Sequence, residues 1–213
     1  MPFRPRTLLM VLALLLVSVR GQASTILFAT LTNSQENPPT VPTNNDGSPR
    51  PVSFGYATFT LNDAQTELAF VATIYNIDVT GSQTPLFTND NLGNAHIHAG
   101  ANFPPANNGV AWGFFGAPFN DNSPNDSVMT PFATGVGGTF SGIWNGNEGN
   151  NGITLTTALP FILSNRSYIN FHTTQFAGGE IRGVLVATPE PGTLALFALG
   201  GAMLRLRRRF TKP

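Results

Sequence analysis

The sequence predicts an all-β domain, a Greek-key sandwich or barrel of about eight strands, held between two short apolar helical segments. Three observations predict it. Charged residues make up only 10% of the chain while Gly (22), Pro (17) and Phe (17) are plentiful, against roughly 25% charge in an ordinary globular protein. Short apolar or alternating runs recur between Asn-, Gly- and Pro-rich stretches, as strands joined by turns do. Glu and Lys, which join Ala and Leu in abundance in a coiled coil or long-helix protein, are scarce. At 213 residues the chain holds one ordinary domain with a sizeable core. It contains no Cys, which excludes disulfide scaffolds, iron–sulfur clusters and Cys-based zinc modules.

The first element is the N-terminal segment, residues 1–23. A basic Met1-Pro2-Phe3-Arg4-Pro5-Arg6 start precedes the apolar Leu8–Val19, with small residues Gly21 and Ala23 ahead of the domain. This is the pattern of a secretory signal peptide cut by signal peptidase after Ala23. Twelve apolar residues fall short of the roughly 20 needed to span a bilayer core.

The domain occupies residues 24–188. Its predicted strands are Thr25–Leu31, Phe54–Leu61, Glu67–Ile77, Asn94–His98, Val110–Phe115, Val136–Trp144, Tyr168–His172 and Glu180–Ala187. In Glu67–Ile77, Leu68, Phe70, Ala72 and Ile74 share one face and Ala69, Val71, Thr73 and Tyr75 the other, the period of a strand. Leu155–Leu163 reads as one or two helical turns interrupted at Pro160. Eight short strands in this length suit a β-sandwich, immunoglobulin-like in kind, or a Greek-key barrel. Loops as long as Asn33–Ser53 and Ala101–Thr134 are usually functional or disordered.

The last element, residues 189–213, begins Pro189-Glu190-Pro191-Gly192, continues through apolar Leu194–Leu204 and ends in Arg205-Leu206-Arg207-Arg208-Arg209. Eleven residues of helix extend about 17 Å, short of the bilayer core of about 30 Å, and the arginines hold the end on the cytoplasmic side. Such a transmembrane helix is a transient hold. The arrangement resembles the PEP-CTERM sorting signal, although Thr211-Lys212-Pro213 run past the arginines of its common form. The resemblance implies a Gram-negative bacterium, an exosortase-type membrane protease as partner, and release to the cell surface or exopolysaccharide matrix.

The formal net charge of zero conceals an uneven distribution. Between Ser24 and Thr188 stand ten acidic residues and three basic ones, Arg50, Arg166 and Arg182, with no lysine. Nucleic acid binding needs a basic stripe that displaces counterions, so the domain is not expected to bind nucleic acid.

The histidines carry the available chemistry. His96 and His98 stand two apart and share a strand face, with Ile97 on the other. In the Tyr168–His172 strand, Ile169 and Phe171 face the core while Tyr168, Asn170 and His172 point away. If the two strands are neighbours, three imidazoles converge on one outer surface, a His₃ set suited to one Zn or Cu ion. The alternative is three histidines that are simply exposed or bonded to loop backbone. Glu180 and Arg182 share a face, so they either form a surface ion pair or support His172 from behind. Phe103, Trp112, Phe114, Phe115, Phe119 and Phe132 offer a candidate sugar-stacking platform, though such residues are more often core.

His96-Ile97-His98-Ala99-Gly100, followed by Asn170-Phe171-His172-Thr173-Thr174 and Gly178-Gly179-Glu180-Ile181-Arg182-Gly183, resembles the CHRD (chordin-type) domain over about residues 25–187. Gln35-Glu36-Asn37-Pro38-Pro39 fits the same pattern. The resemblance implies a β-sandwich or barrel distantly like the copper–zinc superoxide dismutases. Against a dismutase, His96, His98, His172 and Arg182 have counterparts, whereas a fourth histidine, a His-bearing zinc loop and both cysteines are missing. One mononuclear site remains available. The leading expectation is thus a secreted, non-enzymatic protein of the cell surface or matrix with a structural, adhesive or binding role. A mononuclear metal protein or dismutase-like enzyme, and a glycan-binding module, are the alternatives.

Overall fold

A computed structural model describes residues 24–188. The signal segment with Ala23, and the sorting segment with Pro189, Glu190 and Pro191, lie outside the described residues, as do the two apolar helices expected there. Among the described residues no helix is long and apolar enough to cross a membrane.

The described residues form β1 (Thr25–Thr32), β2 (Phe54–Leu61), β3 (Glu67–Tyr75), β4 (Leu92–Ala99), β5 (Val110–Phe115), β6 (Val128–Pro131), β7 (Gly137–Asn145), the helix α1 (Leu155–Ile162), β8 (Ser167–Thr173), β9 (Ile181–Val184) and β10 (Val186–Ala187). The strands make one antiparallel sheet in the order β5-β4-β8-β9-β1-β2-β3-β7-β6, with β10 pairing β1 beside β9. The sheet curls into a half-barrel, and its two halves close on a common core. Phe70 of β3 meets Trp112 and Phe114 of β5, with ring centroids 5.7 and 4.7 Å apart. Trp112 stacks on Trp144 of β7 at 5.7 Å, and Phe140 meets Phe171 of β8 at 5.2 Å. This supports the sandwich-or-barrel expectation, without the Greek-key or immunoglobulin-like detail.

Ten strands replace the eight expected. The short Val128–Pro131 strand at the sheet edge has no signature in the sequence, because four residues ending in proline carry almost no alternation. The Glu180–Ala187 run divides into β9 and β10 at Leu185. The third strand ends at Tyr75, since Asn76 turns into the left-handed region at φ 63°. Pro160 does not interrupt the helix. Thr154 and Thr157 form a capping box at its start, and Leu155, Ala158, Leu159 and Ile162 are buried beneath it while Pro160 faces solvent.

Strand alternation sets the inward face. Leu27, Ala29 and Leu31, then Ala57, Phe59 and Leu61, then Leu68, Phe70, Ala72 and Ile74 are buried. Residues between them face outward, and on this half of the sheet they stay open to solvent. On β4, β8 and β9 both sides are buried, because loops cover the outer side of that half.

Candidate metal centre

His96 and His98 stand on β4 opposite Asn170 and Tyr168 of β8, and His172 pairs with Asn94. The two strands are neighbours, as the convergence required. Ile97 and Ile169 turn into the core, fully buried, so the histidines face away from it. They lie on the outer side of the sheet, yet that side is covered, and His96, His98 and His172 are only 4%, 8% and 7% exposed. Three segments make the cover. Phe119 lies edge-on to His96 at 5.8 Å, and its backbone approaches closely because residue 113, paired with His96, is glycine. A Cβ there would stand 1.9 Å from the Phe119 carbonyl oxygen. The loop before β5 supplies Asn108, and the turn after β8 supplies Ala177.

Two of the rings are held by backbone. His98 Nδ1 lies 2.9 Å from the Asn108 carbonyl oxygen, and His172 Nδ1 3.0 Å from that of Ala177. A carbonyl only accepts, so each Nδ1 carries the proton and each Nε2 presents a lone pair. His98 Nε2 is buried with no partner, as is His96 Nε2. His172 Nε2 faces His96 Nδ1 at 3.2 Å. One ligand nitrogen from each of the three rings lies within 4.8 Å of the others. Two nitrogens bonded tetrahedrally to one ion at about 2.0–2.1 Å stand about 3.3 Å apart, close to the 3.2 Å between His96 Nδ1 and His172 Nε2.

The surroundings keep these rings neutral. Burial, together with the neighbouring His172 and His98, pushes His96 down to about 3. Burial lowers His98 to about 4, with His172 and Arg182 adding to the effect against the Asn108 bond. Burial also lowers His172. Neutral imidazole is the form that binds metal, and all-nitrogen donors suit zinc or copper.

The expected Glu180–Arg182 pair does not form. Glu180 turns to Arg50, 2.5 Å away, and also accepts from Ser53 and Thr173, so it does not support His172. Arg182 donates to the Gln35 and Pro105 carbonyls and to Asn107 Oδ1. With these donors committed and the side chain buried, it does not serve as an open anion guide. The sugar platform is likewise corrected. Trp112 and Phe114 are core residues, Phe119 covers His96, Phe132 packs on Tyr75, and Phe103 lies under Arg166.

Sequence reasoning gave no role to Asn108 or Glu36. Glu36 is buried beside Arg182 and Asn170, and burial raises its carboxyl to about 7 against the lowering effect of Arg182. Its place in the Gln35–Pro39 motif was the available signal.

No curated protein and no solved structure matches the chain. The PEP-CTERM protein-sorting motif matches residues 187–209, which marks the chain as a substrate of that sorting route. The CHRD domain matches residues 27–185, most of the chain and the whole of the histidine face; this protein belongs to the CHRD domain family.

Proposed function

We propose that this CHRD domain is an exported metal-holding module that binds one zinc or copper ion through His96, His98 and His172. The observation that carries this reading is the pair of backbone-held rings: Asn108 and Ala177 take the Nδ1 protons of His98 and His172 and leave Nε2 of each turned to the cluster. Carbonyls that orient ligand histidines are a usual feature of metal sites. An ion there would satisfy His98 Nε2, a buried nitrogen that otherwise lacks a partner, and unmet buried polar atoms are costly. The closed cover and the committed Arg182 favour holding a metal over turning over an anionic substrate, which sets the dismutase alternative aside.

Delivery is read from the chain ends. They give export through a signal peptide cut after Ala23, exosortase-type recognition at Pro189-Glu190-Pro191, and arrival at the cell surface or matrix. Titration of the metal-free protein with Zn²⁺ or Cu²⁺ tests the reading. The expected result is one ion per chain, lost in His98→Ala and in His172→Ala. No uptake, or uptake unchanged in both variants, contradicts it.

A further inference from the structure

We propose that Arg182 is the positioning residue of this centre: one buried guanidinium fixes both what the His98 ring bonds to and what it stacks on. The inference rests on the metal-holding reading above. Arg182 is 1% exposed. Its Nε donates to the Gln35 carbonyl, in the short turn after β1. Nη1 and Nη2 donate to Asn107 Oδ1 at 2.8 Å and the Pro105 carbonyl at 2.6 Å, in the loop before β5. That loop carries Asn108, whose carbonyl accepts from His98 Nδ1 at 2.9 Å and from the Tyr168 hydroxyl at 3.3 Å.

The same guanidinium lies over the Tyr168 ring, 4.7 Å from its centroid. Tyr168 in turn stacks on His98, with centroids 4.7 Å apart and planes 8° from parallel. Arg182 therefore reaches His98 by two routes, through the loop to its Nδ1 and through Tyr168 to its ring face. The other two arginines of the described residues are engaged elsewhere: Arg50 pairs with Glu180 and Arg166 lies over Phe103. A planar fork is needed because the three acceptors lie in different directions on two segments. Lysine offers one compact charge and cannot span them.

Two readouts test this, one of them independent of metal. In the metal-free wild type, long-range ¹H–¹⁵N spectra should show His98 as a single Nδ1–H tautomer. Arg182→Lys keeps the charge and loses the fork; it should mix the His98 tautomers and weaken Zn²⁺ binding by about 10–100-fold, the usual effect of losing an outer partner of a ligand. Should Arg182→Lys not fold, Asn107→Ala at the exposed rim should give a smaller change of both readouts in the same direction. Failure of the wild type to take up Zn²⁺ overturns the metal reading and with it a role at a metal centre. Normal uptake by the wild type, with tautomer and affinity unchanged in the variants, overturns the Arg182 assignment alone.

Discussion

One sheet presents two outward halves built by the same alternation and treated in opposite ways. On β1, β2 and β3, the outward Phe28, Tyr56 and Val71 are 49%, 57% and 52% exposed, among threonines that water satisfies. On β4, β8 and β9, the outward His96, His98, Asn170, His172 and Arg182 are all buried. The open half is an ordinary wetted surface. The covered half gives up the hydration of imidazole, amide and guanidinium groups, which carries a penalty unless partners replace water. Arg182 has such partners within the chain, while His98 Nε2 and His96 Nε2 do not. The difference supports the metal-holding reading: covering a polar face makes physical sense where a ligand completes it.

The largest effect expected from sharpening this comparison is between two tyrosines. Tyr168→Ala should cost about 3–5 kcal/mol, as removal of a large buried aromatic does, while Tyr56→Ala should stay within about 0.5 kcal/mol. Chemical denaturation of both variants checks it, and equal costs would erase the distinction between the halves. Next, Zn²⁺ in 100-fold excess over its dissociation constant should stabilise the wild type by about 2.7 kcal/mol and leave His98→Ala unmoved. Thermal melts with and without the ion read this directly.

Two titrations on the covered half have opposite signs. His96 and His98 hold folded values of about 3 and about 4, below the ordinary 6.5. As pH falls below 6.5, the unfolded chain takes up protons that the folded one refuses. Metal-free stability should therefore drop toward pH 4, by at most about 1.4 kcal/mol per pH unit for each ring. Glu36 is raised to about 7, so its folded carboxyl keeps a proton that the unfolded one loses from 4.5 upward. That lowers stability as pH rises to 7. Glu36→Gln should then gain on the order of 1–2 kcal/mol at pH 8 and steepen the loss in acid. Denaturation across pH 4–8 measures both. The smallest effect is on the open half, where Val71→Thr should shift stability by less than about 0.5 kcal/mol at every pH.

Alternation made the facing of His96, His98 and Ile97 legible, and that of Tyr168, Asn170 and His172, because side-chain direction in a strand is a local property. It also made most strand positions legible. The cover was not legible, since it depends on contacts between distant segments. Arg182 reaches Asn107 across 75 residues, and Glu180 reaches Arg50 across 130. Two residues on one strand face look like natural partners, yet Glu180 and Arg182 each found a better-placed one in a loop. The tautomers of His98 and His172 depend on the Asn108 and Ala177 carbonyls, and a backbone acceptor leaves no trace in residue type.

X-ray absorption at the metal edge of the loaded protein tests the central claim most directly. Three imidazole nitrogens at about 2.0–2.1 Å, and no bound metal in His98→Ala, are the predicted result. An ion bound mainly through oxygen, or a spectrum the same in wild type and His98→Ala, would contradict a metal centre on the covered half of the sheet.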